Sequence, residues 1–328
     1  MPITQGDVYV SAPLTNISVG YAQDARNFIA DRVFPRVPVA VQGGQYWVWN
    51  REDWNRNNMK KRADGTESQG TDLNVSRKNY FASVWALHVD IGDQTRANAS
   101  SAFALDSDTT RYLTGQYLIN KEANFVSAYF KTGVWGTDYT GVASGATGNQ
   151  RVQWSDYTAS DPIADIQKAI IRQLLLTGQR PNKLVVGIDV DYVLKNHPDI
   201  VDRVKYGGTN ASPSMVEDSA LARVFGVDEY LVAGATLNTA EDGATENNQF
   251  FVGKNALLVY APNAPGLMTP SAGYTFVWSS YLGNGAGGAR ISKMRIDVRR
   301  ADRIEAEAAY SQEVVAADMG AYFSNIVA

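Results

Sequence analysis

An α+β fold with an elongated outline is what this sequence predicts, and three observations carry the prediction. A helical periodicity runs without interruption over residues 106–130, helices and short strands alternate over 161–260, and strand-type alternation returns at 274–282 and 291–305. At 328 residues the chain can bury a core of its own, and with no Cys it has no disulfide, no thiolate metal site and no Cys nucleophile. No repeat of about 20–50 residues is visible, which argues against a solenoid or propeller.

From residue 1 to about 42 the text is interrupted by Pro2, Pro13, Pro35 and Pro38, with helix expected only around 23–33, and it reads as an extended arm. Residues 45–50 (QYWVWN) are rich in β-formers. Residues 80–91 alternate Phe81, Trp85, Leu87, Val89 and Ile91 against Ala82, Ala86, His88 and Asp90, predicting one buried face. Between these strands lie roughly thirty polar residues, including Arg51, Arg56, Lys60, Lys61 and Arg62, with almost nothing to pack inward. A loop of that length is functional or disordered in a compact domain.

Over 106–130, Tyr112, Ile119, Ala123, Val126 and Phe130 recur at helical spacing behind Asp106, Ser107 and Asp108 as candidate caps, and Thr132 and Gly133 stop the helix. Its length, roughly 38 Å at the α-helical rise, suits an elongated molecule. Residues 136–150 are rich in Gly, Thr and Ser and read as loop. Asp161 then caps a helix with Pro162 at its first position, Ile163, Ile166, Ile170 and Leu174 on one face, and Gly178 closing it. A short buried strand follows at 184–188. Asp189 opens a helix ending near His197 and Pro198, a third helix covers 215–225, and strands are expected at 230–233, 250–252 and 256–260 around a polar loop at 238–248. Pro262, Pro265 and Pro270 mark the exit from this unit. The last strand, 291–305, sets Met294, Ile296 and Val298 on one face and Lys293, Arg295, Asp297 and Arg299 on the other.

Few motifs carry chemistry. Gly283, Gly285 and Gly288 match the spacing of a dinucleotide fingerprint, but a charged strand follows where the phosphate-binding helix should start, so they read as a hairpin connection. His88 and His197 lack partners at a metal or triad spacing, and Asp189, beside Asp191, is explained as a helix cap. The net charge of −4 argues against a dedicated nucleic-acid binder, and Lys60, Lys61 and Arg62 are diluted by Glu52, Asp53, Asp64 and Glu67. Tyr46, Trp47, Trp49 and Trp54 can pack on self or on a neighbouring copy, or stack on sugars or bases. No basic-then-apolar leader and no membrane-length apolar run is present, so a soluble, unexported product is expected.

Three stretches, TNISVGYAQDARNFIADRVFPRVPV, NKLVVGIDVDYVLKNHPDIVDRVKY and ALARVFGVDEYLVAGA followed by FVGKNALLVYAP, resemble the major capsid proteins of tailed bacteriophages, whose fold is shared with the herpesvirus capsid floor. The likeness covers nearly the whole chain. It implies an N-terminal arm at 1–42, an extended loop at 43–82, a discontinuous peripheral domain at 83–160 and 263–328 with the long helix as its spine, and an axial domain at 161–262. It implies icosahedral shell assembly from hexamers and pentamers around double-stranded DNA held without sequence-specific binding, with no enzyme activity, no cofactor and no membrane. The implied setting is the virion capsid, assembled in the host bacterial cytoplasm. Partners implied are further copies of the chain, a separate scaffolding protein if Met1 is the native start, a portal protein and, in some relatives, a decoration protein. Intersubunit contact is expected at Arg51, Trp54, Arg56, Lys60, Lys61 and Arg62. Competing functions are a carbohydrate or nucleic-acid binding module on the Trp-rich strand and an enzyme built on the unit at 161–260.

Overall fold

The computed structural model describes residues 22–49, 51–99, 104–207, 216–241, 243–266, 268–283 and 288–328. The first half of the expected arm, the start of the helix expected at 215–225, and Gly285 of the glycine-rich turn lie outside the described residues. In chain order, α1 (Ala30–Val33) and β1 (Arg36–Val39) come from the expected arm, β2 (Gly43–Trp49) and β3 (Val75–Phe81) form a hairpin enclosing α2 (Arg51–Trp54), and β4 (Ser83–Gly92) leads into α3 (Asp93–Asn98). The single strand expected at 80–91 is therefore two, broken at Ala82, the first pairing with β2 and the second with a distant strand. The long helix is α4 (Leu105–Tyr129); β5 (Thr137–Val142) and β6 (Gln150–Val152) occupy the stretch expected to be loop. Next come α5 (Pro162–Thr177), β7 (Lys183–Gly187), α6 (Ile188–Asn196), α7 (Pro198–Gly207), α8 (Asp218–Phe225) and β8 (Glu229–Ala233). A hairpin of β9 (Thr236–Asn238) and β10 (Asn248–Phe250) is followed by β11 (Ala256–Val259), β12 (Gly273–Trp278), α9 (Ser279–Leu282), β13 (Ala289–Ile296), β14 (Ala301–Val314) and β15 (Gly320–Ser324).

Local chemistry explains α5. Asp161 accepts the Ala164 amide at 2.9 Å, Pro162 occupies the first turn where its missing N–H costs nothing, and Gly178 closes the helix at φ 70°. Ile163, Ile166 and Ile170 are buried as expected, whereas Leu174 is exposed. Asp161→Ala should cost about 1 kcal/mol, the usual worth of a side-chain cap, and a urea unfolding series measures it. One neighbouring expectation fails. Asp189 lies inside the first turn of α6, whose cap position is Gly187, so it favours the helix through the dipole and not through a cap bond. That helix ends at Asn196 as expected, and Pro198 then starts α7, because proline tolerates the first position of a helix.

The six-stranded sheet, in the order β6-β5-β15-β11-β7-β8, is covered on both faces. Leu184, Val186, Leu258 and Phe323 face α5, α6, α7 and α8, while Val185, Leu257, Val259 and Tyr322 face Phe34, Phe125, Tyr129 and Trp135. Burial on both sides is why β7 and β11 read as unbroken apolar runs. This sheet joins β5, β6 and β15 to the strands of 161–262, so it crosses both boundaries drawn for that unit.

In the second sheet β14 pairs with β4, β13 and β12, and β12 takes β1 in parallel. The expected single strand at 291–305 is a hairpin: β13 and β14 pair Ala289↔Ala308 through Ile296↔Ala301, turning at Arg300, φ 46°. No residue of β13 is fully buried on either of the expected faces. Lys293 reaches Asp106 in the first turn of α4 at 2.7 Å, Met294 is exposed, and Val298 is 98% exposed in the turn. Asp106, already shared with Arg96, is thereby spent on ion pairs, and the α4 cap position is Ala104 without a side-chain bond. The stripe expected on α4 shifts as well: Tyr112 is exposed, and the buried residues are Leu113, Lys121, Glu122, Phe125 and Tyr129. Residues 29–34 are core and not free arm, since Ile29, Ala30, Val33 and Phe34 are buried against the C-terminal half of α4.

Candidate intersubunit surface

The β2–β3 hairpin is fastened to its own subunit only at its base. Tyr46 and Tyr80 pack on Phe276 with ring centroids 5.3 and 4.6 Å away, and Gly44 leaves the space, since a Cβ there would lie 2.7 Å from the Tyr80 hydroxyl. Lys78 Nζ donates to the Val315 carbonyl at 3.3 Å, and Arg51 pairs with Asp318 at 2.6 Å. Past α2 the neck closes through the Asn74 amide donating to Asp53 Oδ2 at 2.8 Å. From Asn55 to Asn79 every residue except Asn58 is exposed, and beyond the β2–β3 pairing it is Lys78 that ties this segment to the rest of the subunit.

Of the residues expected at a contact, Arg51 is held by Asp318 of its own chain and Trp54 packs edge-on against Trp49 at 6.5 Å while remaining 57% exposed. These two share the loop base. Arg56, Lys60, Lys61 and Arg62 lie along the exposed loop and form no ion pair among the described residues. The sequence reading offered Trp47 and Trp54 to a neighbouring copy but missed the rest of the apolar surface. Met59 is 91% and Trp47 58% exposed, with Leu73 and Val84 also open, as are Phe81, Trp85 and Leu87, which alternation had placed on one buried face. Among the described residues β4 pairs only with β14, leaving its outer edge free. A Met and several aromatics set among Arg and Lys are the composition of interface cores, and that signal was present in residues 47–59.

Ion pairs line the sheet behind this surface. Hydrogen bonds from Arg303 and then Arg299 hold Asp90 down at about 2, and Arg96 followed by Lys293 does the same for Asp106. Asp93 is likewise lowered, chiefly by its hydrogen bonds to Arg295.

The unit at 161–260 contains a 430 Å³ groove lined by Asp161, Ile163, Asp199, Asp202 and Arg203. Behind it His197 is fully buried, its Nε2 3.2 Å from Ser160 Oγ, its Nδ1 without a hydrogen-bond partner and 3.8 Å from Asp199. Asp191 is taken up by Lys195 at 2.8 Å and the Tyr230 hydroxyl at 3.0 Å. Burial lowers the His197 pKa, with Asp199 and then Asp161 pulling it back up. A histidine held neutral in the fold stabilises it fully above the unfolded value, and that stability is lost as pH falls through it. Urea midpoints should therefore drop between about pH 7 and 5, and His197→Gln should remove part of that slope. A parallel decline in the variant would show that other groups cause it.

On the Trp-rich strand Arg77 stacks on the Trp47 ring at 4.4 Å, Tyr46 packs inward on Phe276, and Trp49 meets Trp54 edge-on. Gly288 leads into β13 and not into a helix, and no group of His, Asp and Glu among the described residues could hold a metal ion.

No protein-family model matches the chain. Two curated proteins match along almost its whole length. The major capsid protein of Pseudomonas phage JBD67 is 27% identical over 97% of this chain and 97% of its own, and that of Burkholderia phage BcepMu is 24% identical over 97% and 96%. Among solved structures, a phage-related protein from Bordetella bronchiseptica RB50 superposes with a TM-score of 0.68 at 19% identity, covering 94% of each chain. The capsid of cyanophage P-SCSP1u gives a TM-score of 0.61 at 10% identity, covering 97% of this chain and 93% of that one.

Proposed function

We propose that this chain, which by relatives and by fold belongs with the phage major capsid proteins, assembles as hexamers and pentamers into an icosahedral shell enclosing double-stranded DNA. The observation that carries the reading is the hairpin with its neighbouring edge strand, a projecting surface of Trp, Met and Arg that its own subunit leaves uncovered. Surfaces of this kind are completed by another copy, and the central aromatics supply most of the binding energy while rim charges set register. Arg56, Lys60, Lys61 and Arg62 take the rim role in this reading, with Trp47, Trp54 and Met59 at the centre.

On the same reading, 1–42 is the arm, 43–82 the extended loop, 83–160 with 263–328 the peripheral domain and 161–262 the axial domain, with β5, β6 and β15 completing the axial sheet from outside its own span. Scaffolding, portal and decoration proteins are partners by analogy, and assembly takes place in the host cytoplasm. Catalysis is not part of this function: His197 and Asp191 are occupied structurally, and the groove presents no nucleophile beside a base.

Expression of the full chain, followed by sedimentation and electron microscopy with and without chelator, tests the proposal. Hexamers, pentamers or shells that form without added metal or nucleotide are expected. A species that stays a monomer or small oligomer at high concentration, or assembly strictly dependent on a metal or nucleotide, would refute it.

A further inference from the structure

Residues 23–40 run across three parts of the subunit, the six-stranded sheet, α4 and the second sheet. At one end the Gln23 amide exchanges two hydrogen bonds with the backbone of Thr236, at 2.8 and 3.0 Å, and Lys183 on β7 donates to the Arg32 carbonyl at 2.5 Å. In the middle, Glu122 Oε2 on α4 accepts the amides of Ile29 and Ala30 at 3.1 and 3.0 Å, and the ammonium of Lys121 pairs with Asp31, which also holds Arg36. At the other end Thr275 bonds the carbonyls of Pro35 and Phe34 at 3.0 and 3.2 Å, and β1 runs parallel to β12.

The middle contact is a poor choice for stability alone. Lys121 and Glu122 are both at least 98% buried, and Glu122 Oε1 has no hydrogen-bond partner. Buried charges gain little over apolar packing, because desolvation offsets the attraction, and an unpartnered buried oxygen costs more. Burial pushes the Glu122 carboxyl up to about 7 against the pull of the Ala30 and Ile29 amides. Apolar anchorage comes from Ile29, Ala30, Val33 and Phe34, with Val37 and Val39 half-buried against Tyr80, Tyr274 and Phe276, whereas the sheets on either side are continuous apolar cores. A specific but marginal contact between stable bodies is where sub-global opening is drawn from.

We propose that residues 23–40 are a releasable strap, locked by Asp31, Lys121 and Glu122, which opens as a unit, β1 leaving the edge of the second sheet, while the six-stranded sheet and the pairing of β14 with β4, β12 and β13 stay folded. The strap is a conformational device of the subunit itself and does not depend on what the subunit assembles into.

Hydrogen exchange by mass spectrometry on the full chain, across sub-denaturing urea, reads it directly. Peptides covering 22–40 should exchange at least about ten-fold faster than those covering 183–187, with a shallower urea dependence. Glu122→Leu should raise exchange in 22–40 by a further factor of about ten and leave 183–187 unchanged. Equal urea dependence of both segments in the parent protein would place 23–40 in the cooperative core and overturn the strap. A Glu122→Leu variant that speeds both segments equally, or leaves 22–40 unchanged, would overturn the lock.

Discussion

Replacing residues 51–71 with a short Gly-containing turn should leave the subunit folded and abolish shells. The excised segment takes with it one exposed ion pair, Arg51 with Asp318, one edge-on ring contact, Trp54 with Trp49, and the exposed hydrogen bond from the Asn74 amide to Asp53. The first is worth roughly 0–1 kcal/mol and the other two about 1 each, which together shift a thermal midpoint by several degrees. The hairpin itself survives, because Tyr46 and Tyr80 on Phe276 and Lys78 on Val315 lie outside the cut. What is lost entirely is Trp54, Met59 and the row of cations offered to a neighbour, and a lattice closed by many copies of one contact amplifies a modest loss at each into failure to assemble. Thermal unfolding of the variant and shell yield by sedimentation decide the matter. A midpoint more than about 10 °C below the parent would make the loop part of the core. Shells at the parent's yield would remove the hairpin from the interface.

Gly187→Ala should destroy the fold outright. A Cβ at the end of β7 would lie 1.7 Å from the Gly253 carbonyl oxygen, and no side-chain rotation relieves a clash with backbone. The two segments are also tied by the Gly187 amide donating to Asn255, so relief means pulling β7 away from the β10–β11 connection. A loss on the order of 4 kcal/mol or more is expected, enough to leave most of the product insoluble in a chain of ordinary stability. Gly145→Ala is the control: its φ is 70° but nothing lies within 4 Å, so only backbone strain of about 1 kcal/mol is expected. Soluble yield and urea midpoints of the two variants, compared with the parent, test the contrast. Equal effects would show that the close approach at Gly187 relaxes more easily than its backbone contacts allow.

The sequence by itself determined whatever rests on chemistry within one turn or one strand. Asp161, Pro162 and Gly178 bound α5 because capping and proline geometry act over three or four residues, and the apolar runs of β7 and β11 announce burial wherever the partners come from. The long helix and the exposed polar loop were legible for the same reason. Tertiary structure alone decided the rest, because each remaining feature depends on a partner distant in the chain. Lys121 and Glu122 break the apolar stripe of α4 and hid its buried face, since Asp31 and the amides of Ile29 and Ala30 that satisfy them lie about ninety residues earlier. Residues 137–142 read as loop until β15, nearly two hundred residues later, pairs with them in parallel. Trp85 and Leu87 alternate like a buried face, yet β4 is an edge strand among the described residues and both side chains are exposed in the subunit. Alternation reports that one face of a strand is apolar; only the surrounding fold decides whether its own chain or a neighbour's covers that face.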